Sequence, residues 1–294
     1  EMTDLGLMNY FLGIEVRQEK KGIFISQKKY TEALLKKFKM DGCKTVATPL
    51  VTNEKLKKDD GATEADASCY RSLIGSLLYL IATRPDIMYV VSLLSRFMQR
   101  PSQIHYGVAK RILRYLQGTK GYGIWYQTMT NSRLLGYTDS DWAGSIDDMR
   151  STSGYAFSLG SRIFSWASKK QATVAQSTAE AEYVAAAETT SQAIWLQRIL
   201  EDMGEQQNEP TTIYCDNKSA IAMAKNPVYH NRTKHIAIKY HFIREAETTK
   251  KIKLEYCATE YQVANIFTKA LTRPRFEQLR SMLGVTEICI NEEC

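Results

Sequence analysis

Three acidic side chains, far apart in the chain, stand where local patterning would aim them at one point. They are Asp139 after Leu135-Gly136-Tyr137-Thr138, Glu182 in Ala179-Glu180-Ala181-Glu182-Tyr183-Val184-Ala185-Ala186, and Asp216 after Thr212-Ile213-Tyr214-Cys215. Two close apolar, strand-like runs, and the third opens an alanine-rich, helix-like one. Gathered carboxylates repel one another and lose hydration, so a cation has to hold them together. A pair of divalent ions about 4 Å apart can do so, and such a pair drives in-line displacement at phosphorus. The pattern makes the chain a candidate phosphodiester-cleaving enzyme. Each acid alone has another use: Asp139 as a turn former, and Asp216 as an N-cap ahead of Asn217-Lys218-Ser219. A lone Asp-x-Asp such as Asp139-Ser140-Asp141 also occurs in sugar transferases and phosphatases, but no nucleotide-sugar domain accompanies it here.

Glu180 and Glu182 lie two residues apart and point roughly 200° apart on a helix, so both cannot face one site. Below Glu182 runs a stripe of Ala185, Ala186, Thr189, Ala193, Leu196 and Leu200, small enough to let a helix lie close to a sheet. Below Glu180 the stripe includes Tyr183, Ser191 and Arg198, which suits close packing less well. Glu182 is the preferred ligand on this ground.

The elements that must carry these acids follow from periodicity and punctuation. A hairpin is expected over 9–17 and 22–26 around Lys20-Lys21-Gly22, with a lysine-rich helix over 27–39. After a polar loop over 53–63, helices are expected at 67–82, 86–98 and 103–117, bounded by Pro85, Pro101 and Gly118. On the last of these, Lys110, Arg111 and Arg114 share a side opposite Ile112, Leu113 and Leu116. That pattern serves a phosphate-contacting helix and an ordinary amphipathic one alike. The texture then changes. Strands are expected at 133–139, 153–159 and 162–167, a long helix at 178–202, then a strand (211–215), a helix (217–225), a helix (235–248), a strand (251–256) and a short helix (262–270). Three sequential strands followed by βα alternation imply an α/β mixed sheet flanked by helices, beginning near residue 128.

The 294 residues allow two domains, and 44% hydrophobic content supports ordinary cores. The longest apolar stretch, Ser72 to Ala82, is far short of the roughly 20 residues that span a bilayer, so no membrane partner is expected. No signal peptide is visible, and the chain opens on Glu1-Met2-Thr3-Asp4 in mid-pattern, which reads as a fragment that is not secreted. The six cysteines have no CxxC spacing, and Cys215 and Cys257 sit in apolar strand patterns, as reduced core thiols do. Residues 1–130 carry 20 Lys+Arg against 12 Asp+Glu, and the remainder 19 against 20. The basic half suits a polyanion, or simply solvated helix faces, while the near-neutral half concentrates the acids.

Several motifs have a specific resemblance. Tyr137-Thr138-Asp139-Ser140-Asp141-Trp142-Ala143-Gly144, Arg150-Ser151-Thr152-Ser153-Gly154-Tyr155, Ser177-Thr178-Ala179-Glu180-Ala181-Glu182-Tyr183, Tyr214-Cys215-Asp216-Asn217-Lys218-Ser219-Ala220, Arg232-Thr233-Lys234-His235-Ile236 and Ile266-Phe267-Thr268-Lys269 resemble the RNase H domain of copia-type retrotransposon Pol polyproteins. Upstream, Tyr10-Phe11-Leu12-Gly13-Ile14, Gly75-Ser76-Leu77-Leu78-Tyr79-Leu80, Thr83-Arg84-Pro85-Asp86-Ile87 and Arg111-Ile112-Leu113-Arg114-Tyr115-Leu116 resemble the end of the same element's reverse transcriptase.

The resemblance implies an RNase H-like mixed five-stranded sheet over 129–275. A mainly helical, thumb- or connection-like segment with a hairpin precedes it over 1–128, and a tail follows over 276–294. The polymerase's paired-aspartate motif is absent, so the first segment brings no DNA synthesis chemistry. The implied reaction is hydrolysis of the RNA strand of an RNA–DNA hybrid. The implied ligands are Asp139, Glu182 and Asp216 on two Mg2+ ions, with Mn2+ able to substitute. The family's last acid lies in an Asp-Gln-x-Ala-Asp pattern, where this chain reads Tyr261-Gln262-Val263-Ala264-Asn265, so Asn265 offers a neutral oxygen. His235 is a candidate for proton shuttling or product release, with a structural hydrogen bond as its other use. Lys110, Arg111, Arg114, Asn217, Lys218 and Ser219 are expected to contact nucleic acid. The expected partners are the hybrid and the rest of the reverse transcriptase, in a cytoplasmic virus-like particle or the nucleus. The alternative is a decayed fragment that binds hybrid without cutting it.

Overall fold

The first hairpin sets the frame of the N-terminal part in the computed structural model, which describes residues 6–129, 132–225 and 237–287, with backbone alone for 237–241. Strands β1 (Tyr10–Phe11), β2 (Ile14–Glu19) and β3 (Gly22–Ser26) form an antiparallel meander, with Lys20-Lys21 as the two-residue turn inside the Glu19↔Gly22 pair. Helices α1 (Lys28–Lys37), α2 (Ala67–Leu80), α3 (Met88–Ser95) and α4 (Gln103–Gln117) follow. Tyr70, Leu73, Ile74, Leu77 and Leu80 recur on one side of α2 and are buried, as a core-facing stripe requires. The α4 start is a reciprocal capping box between Ser102 and His105. Between α2 and α4, the buried Arg84 guanidinium holds Asp86 at 2.7 Å and donates to Thr119 O, and the Tyr115 hydroxyl donates to Asp86. Such a pair survives desolvation only because its remaining polar valences are met. Strand β4 (Tyr122–Gln127) then pairs antiparallel with β3.

The second part is a sheet of five strands, β5 (Leu134–Asp141), β6 (Thr152–Leu159), β7 (Arg162–Lys170), β8 (Thr211–Cys215) and β9 (Ile252–Tyr256), in the order β7-β6-β5-β8-β9. The first three pair antiparallel, while β5–β8 and β8–β9 are parallel. The parallel steps need crossovers, supplied by α5 (Thr178–Asp202), α6 (Lys218–Lys225) and α7 (Ala237–Thr248). Phe157, Tyr183, Val184, Leu196, Ile213, Ile252 and Leu254 join one core cluster across these elements. This is the mixed five-stranded α/β sheet that the resemblance implied.

After β9 come 3-10 turns over Thr259–Tyr261 and Val263–Phe267, where a short α-helix was expected. Helix α8 (Arg273–Leu283) ends at Gly284 in the left-handed conformation, and β10 (Val285–Glu287) pairs antiparallel with β4. The chain thus forms two compact units. The segments ending at Met129 and starting at Ala270 make one, and the segment between them, through Lys269, makes the other. The expected segmentation ended the second domain at 275 and left 276–294 as a tail. In the structure Phe276, Leu279, Leu283 and Val285 are buried, so packing assigns 270–287 to the first unit. Strands β4 and β10 and helix α8 are additions to the expected elements. No described helix is long and apolar enough to cross a membrane.

Candidate metal centre

Asp139 ends the central strand β5, and Asp216 directly follows its parallel neighbour β8. The pairing of these strands runs out at Thr138↔Cys215, so both aspartates occupy the same end of the sheet. The buried Gln262 side chain bridges that end, its Nε2 donating to Thr138 O at 3.0 Å and to Tyr214 O at 3.2 Å. Thr259 Oγ1 donates to Asp216 Oδ2 at 2.9 Å.

Helix α5 brings the third acid. Thr189 Oγ1 donates to Thr138 Oγ1 at 2.9 Å, which ties the helix to β5 through two small side chains. Ser140 N donates to Glu182 Oε1 at 3.1 Å, while Glu182 Oε2 is buried without a hydrogen-bond partner. One ligand atom from each of Asp139, Glu182 and Asp216 lies within 4.8 Å of the others. Glu180 is spent elsewhere: the Ser177 hydroxyl accepts from Glu180 N, and Glu180 Oε2 accepts from Gln176 N at 3.1 Å. The helix-face argument from the sequence therefore selected the glutamate that the fold brings to the cluster.

The electrostatics of the cluster call for a cation. Burial, followed by the charges of Asp139 and Asp216, pushes the Glu182 carboxyl up to about 9. Burial also raises Asp139, to about 6, against the opposing pull of Lys269 and Thr268. Hard carboxylate oxygens, one of them buried without a hydrogen-bond partner, fit a hard divalent ion such as Mg2+ or Mn2+.

Asn265, 1% exposed, donates from Nδ2 to Thr259 O at 3.3 Å, and its Oδ1 has no hydrogen-bond partner. The Thr268 hydroxyl donates to Asp139 Oδ2 and lies 3.2 Å from Asn265 O. Lys269 Nζ lies 3.5 Å from Asp139 Oδ2. This segment can cross β6 because Gly154, opposite Asp139 in the ladder, has no side chain there. A Cβ at that position would meet Phe267 Cβ and Thr268 Cγ2 at 2.8 Å.

Of the expected nucleic-acid contacts, Asn217 accepts from Ala220 N at 3.0 Å and so caps α6, the role the sequence also offered to Asp216. Lys218 and Ser219 are exposed at the start of α6, with Lys218 Nζ 4.7 Å from the Tyr256 ring centroid. In the first unit Lys110 is exposed over Tyr106, whereas Arg111 donates to Thr48 Oγ1 and Arg114 to Lys44 O. The two arginines thus hold the 44–48 segment against α4. His235 lies outside the described residues. Sequence reasoning gave no role to Thr259, Gln262, Thr268 or Lys269. The signal was polar Gln262 and Thr268 bracketing Val263–Phe267, a run that is apolar except for Asn265.

Comparison with known proteins adds the following. A family model described as reverse transcriptase (RNA-dependent DNA polymerase) matches residues 1–52. The retrovirus-related Pol polyprotein from transposon RE2 of Arabidopsis thaliana is 42% identical over 281 residues, covering 96% of this chain and 19% of that protein. The corresponding polyprotein from transposon TNT 1-94 of Nicotiana tabacum is 40% identical over 294 residues, covering 97% of this chain and 22% of that protein. The chain thus spans about a fifth of the length of these relatives. Among solved structures, LC11-RNase H1 in complex with an RNA/DNA hybrid aligns at 11% identity and a TM-score of 0.35, over 46% of this chain and 94% of that one.

Proposed function

From the premise that the chain belongs to the retrovirus-related Pol polyproteins of transposons, we propose that it hydrolyses the RNA strand of RNA–DNA hybrids as the C-terminal part of a copia-type reverse transcriptase. The observation that carries the reading is the convergence of Asp139, Glu182 and Asp216 at one end of a mixed sheet, with an unpartnered Glu182 oxygen among them. These three carboxylates hold Mg2+, or Mn2+ in its place. When bound, a divalent ion supplies charge stabilisation at phosphorus and lowers the pKa of water.

The chain's own groups position the ligands. Ser140 N fixes one oxygen of Glu182, Thr259 fixes one oxygen of Asp216, and Gln262 clamps the strands that carry both aspartates. Asn217 orders the start of α6, so that exposed Lys218 and Ser219 flank the end of β8 and meet backbone phosphates. Selectivity for RNA comes from contacts to 2′-hydroxyls across the hybrid's minor groove. The net positive charge of residues 1–130 adds sequence-independent affinity for the same hybrid.

One observation favours a second reading, in which the fold binds hybrid without cutting it: Asn265 stands where the resemblance implies a fourth acid. A cleavage assay on labelled hybrid separates the two. The wild type should cut the RNA strand with Mg2+ or Mn2+, and Asp139→Asn should lower the rate by at least a hundredfold. Retained hybrid binding with no cleavage at any concentration of either ion would establish the second reading.

A further inference from the structure

We propose that Lys269 takes the place of the second cation in this site. The Asp139, Glu182 and Asp216 cluster holds a single divalent ion, and the Lys269 ammonium at Asp139 supplies the remaining positive charge. The inference rests on the metal reading above and concerns how many ions the cluster holds.

Asp139 Oδ2 already receives two groups from the same short segment: Lys269 Nζ at 3.5 Å and the Thr268 hydroxyl. A second ion bound at this oxygen would have to displace an ammonium and a hydroxyl, at an aspartate that is 1% exposed. Glu182, also buried, keeps Oε2 without a hydrogen-bond partner, so a ligand oxygen remains for one ion. Asn265 brings only an amide dipole to the segment that carries Lys269: its Nδ2 is committed to Thr259 O, and its Oδ1, though unpartnered, is a neutral oxygen. No charge from that residue is available to hold a second ion.

Charge counting agrees with this geometry. Three carboxylates are neutralised by one divalent ion and one ammonium. Two divalent ions beside Lys269 would leave two uncompensated positive charges before substrate arrives, at a buried site where solvent screens poorly. Lysine suits the role because its charge is a compact point on a flexible stem. The Lys269 side chain is 39% exposed, so the ammonium keeps water on its outer side while it faces Asp139.

Counting bound Mn2+ on the full chain, without nucleic acid, tests the proposal, using titration calorimetry together with the paramagnetic resonance signal of free Mn2+. The wild type should bind one ion per chain. Lys269→Arg, which keeps the charge, should also bind one. Lys269→Met should bind its ion at least threefold more tightly, because no ammonium competes at Asp139. Lys269→Met combined with Asn265→Asp should bind two. Two ions on the wild type would overturn the proposal and leave the metal reading standing, as would Lys269→Met with unchanged affinity. No Mn2+ on the wild type or on any folded variant would overturn the metal reading itself, and the proposal with it.

Discussion

Glu180 and Glu182 occupy one helix and have separate duties. Glu180 closes the N-terminal cap of α5 through Gln176 N and Ser177, while Glu182 joins Asp139 and Asp216 and keeps one oxygen without a hydrogen-bond partner. Glu182→Gln should therefore abolish hybrid cleavage. Glu180→Gln should keep most of the rate and cost at most the worth of a cap, about 0.5–2 kcal/mol in a denaturant melt. The opposite ranking in cleavage would mean that the cap residue is the ligand. At this scale the three acids and the choice between the glutamates were legible, because helix and strand periodicity fix which side of its own element a residue faces. The roles of Gln262, Thr268 and Lys269 were not, because they exist only across the fold. Gln262 spans carbonyls 124 and 48 residues away, and Thr268 reaches an acid 129 residues back.

At the scale of elements, strongly periodic segments came out nearly as expected, and those defined by distant pairing did not. Strand β4 has suitable residue types in Ile124, Trp125 and Tyr126, but its partner β3 lies about a hundred residues earlier, at Gly22–Ser26. Strand β10 is only three residues long, and α8 opens on the charged Arg273-Pro274-Arg275, its buried face reduced to Phe276, Leu279 and Leu283. Helix α8 reaches a buried ion pair through one side chain. Arg280 of α8 donates to the Tyr115 hydroxyl at 3.1 Å, and that hydroxyl donates to Asp86. Burial alone would raise the Asp86 carboxyl, but the Arg84 guanidinium and the Tyr115 hydroxyl outweigh it and hold the group below the usual carboxylate range. A depressed folded-state pKa stabilises the fold above the unfolded value of about 3.9, and that contribution is lost as pH falls through the folded value. Asp86→Asn should cost about 3–5 kcal/mol at neutral pH by stranding Arg84, and should flatten the decline in stability below about pH 4. Urea midpoints against pH for the two proteins measure both effects. An unchanged acid limb would show that other carboxylates govern it.

For the whole molecule, the uneven charge is the feature most readable from composition, with 20 Lys+Arg against 12 Asp+Glu in residues 1–130. If that excess grips the hybrid, log affinity falls linearly with log salt, and each lost phosphate contact reduces the slope by about 1. Exposed Lys110 is the residue to change. Lys110→Glu should weaken hybrid binding to a similar degree on every sequence tested and make its salt dependence shallower. An identical slope would place this ammonium in solvent. The division into units was half legible: the boundary near 128 followed from the change of texture, but the return of 270–287 to the first unit did not, since nothing local marks which sheet a three-residue strand will join. That return has a consequence for processing. The second unit is an insertion within the first, so no single break in the backbone separates them. Hydrolysis after Met129 would put α8 and β10 on the other product, so that the Phe276 ring, 5.6 Å from that of Tyr115, and the partner strand of β4 would no longer be covalently joined to Tyr115 and β4. A protease that cuts once yields a nicked chain whose first unit is held together across the break by noncovalent contacts alone, the β4–β10 ladder and the Arg280–Tyr115 hydrogen bond among them. Releasing an intact second unit takes two cuts.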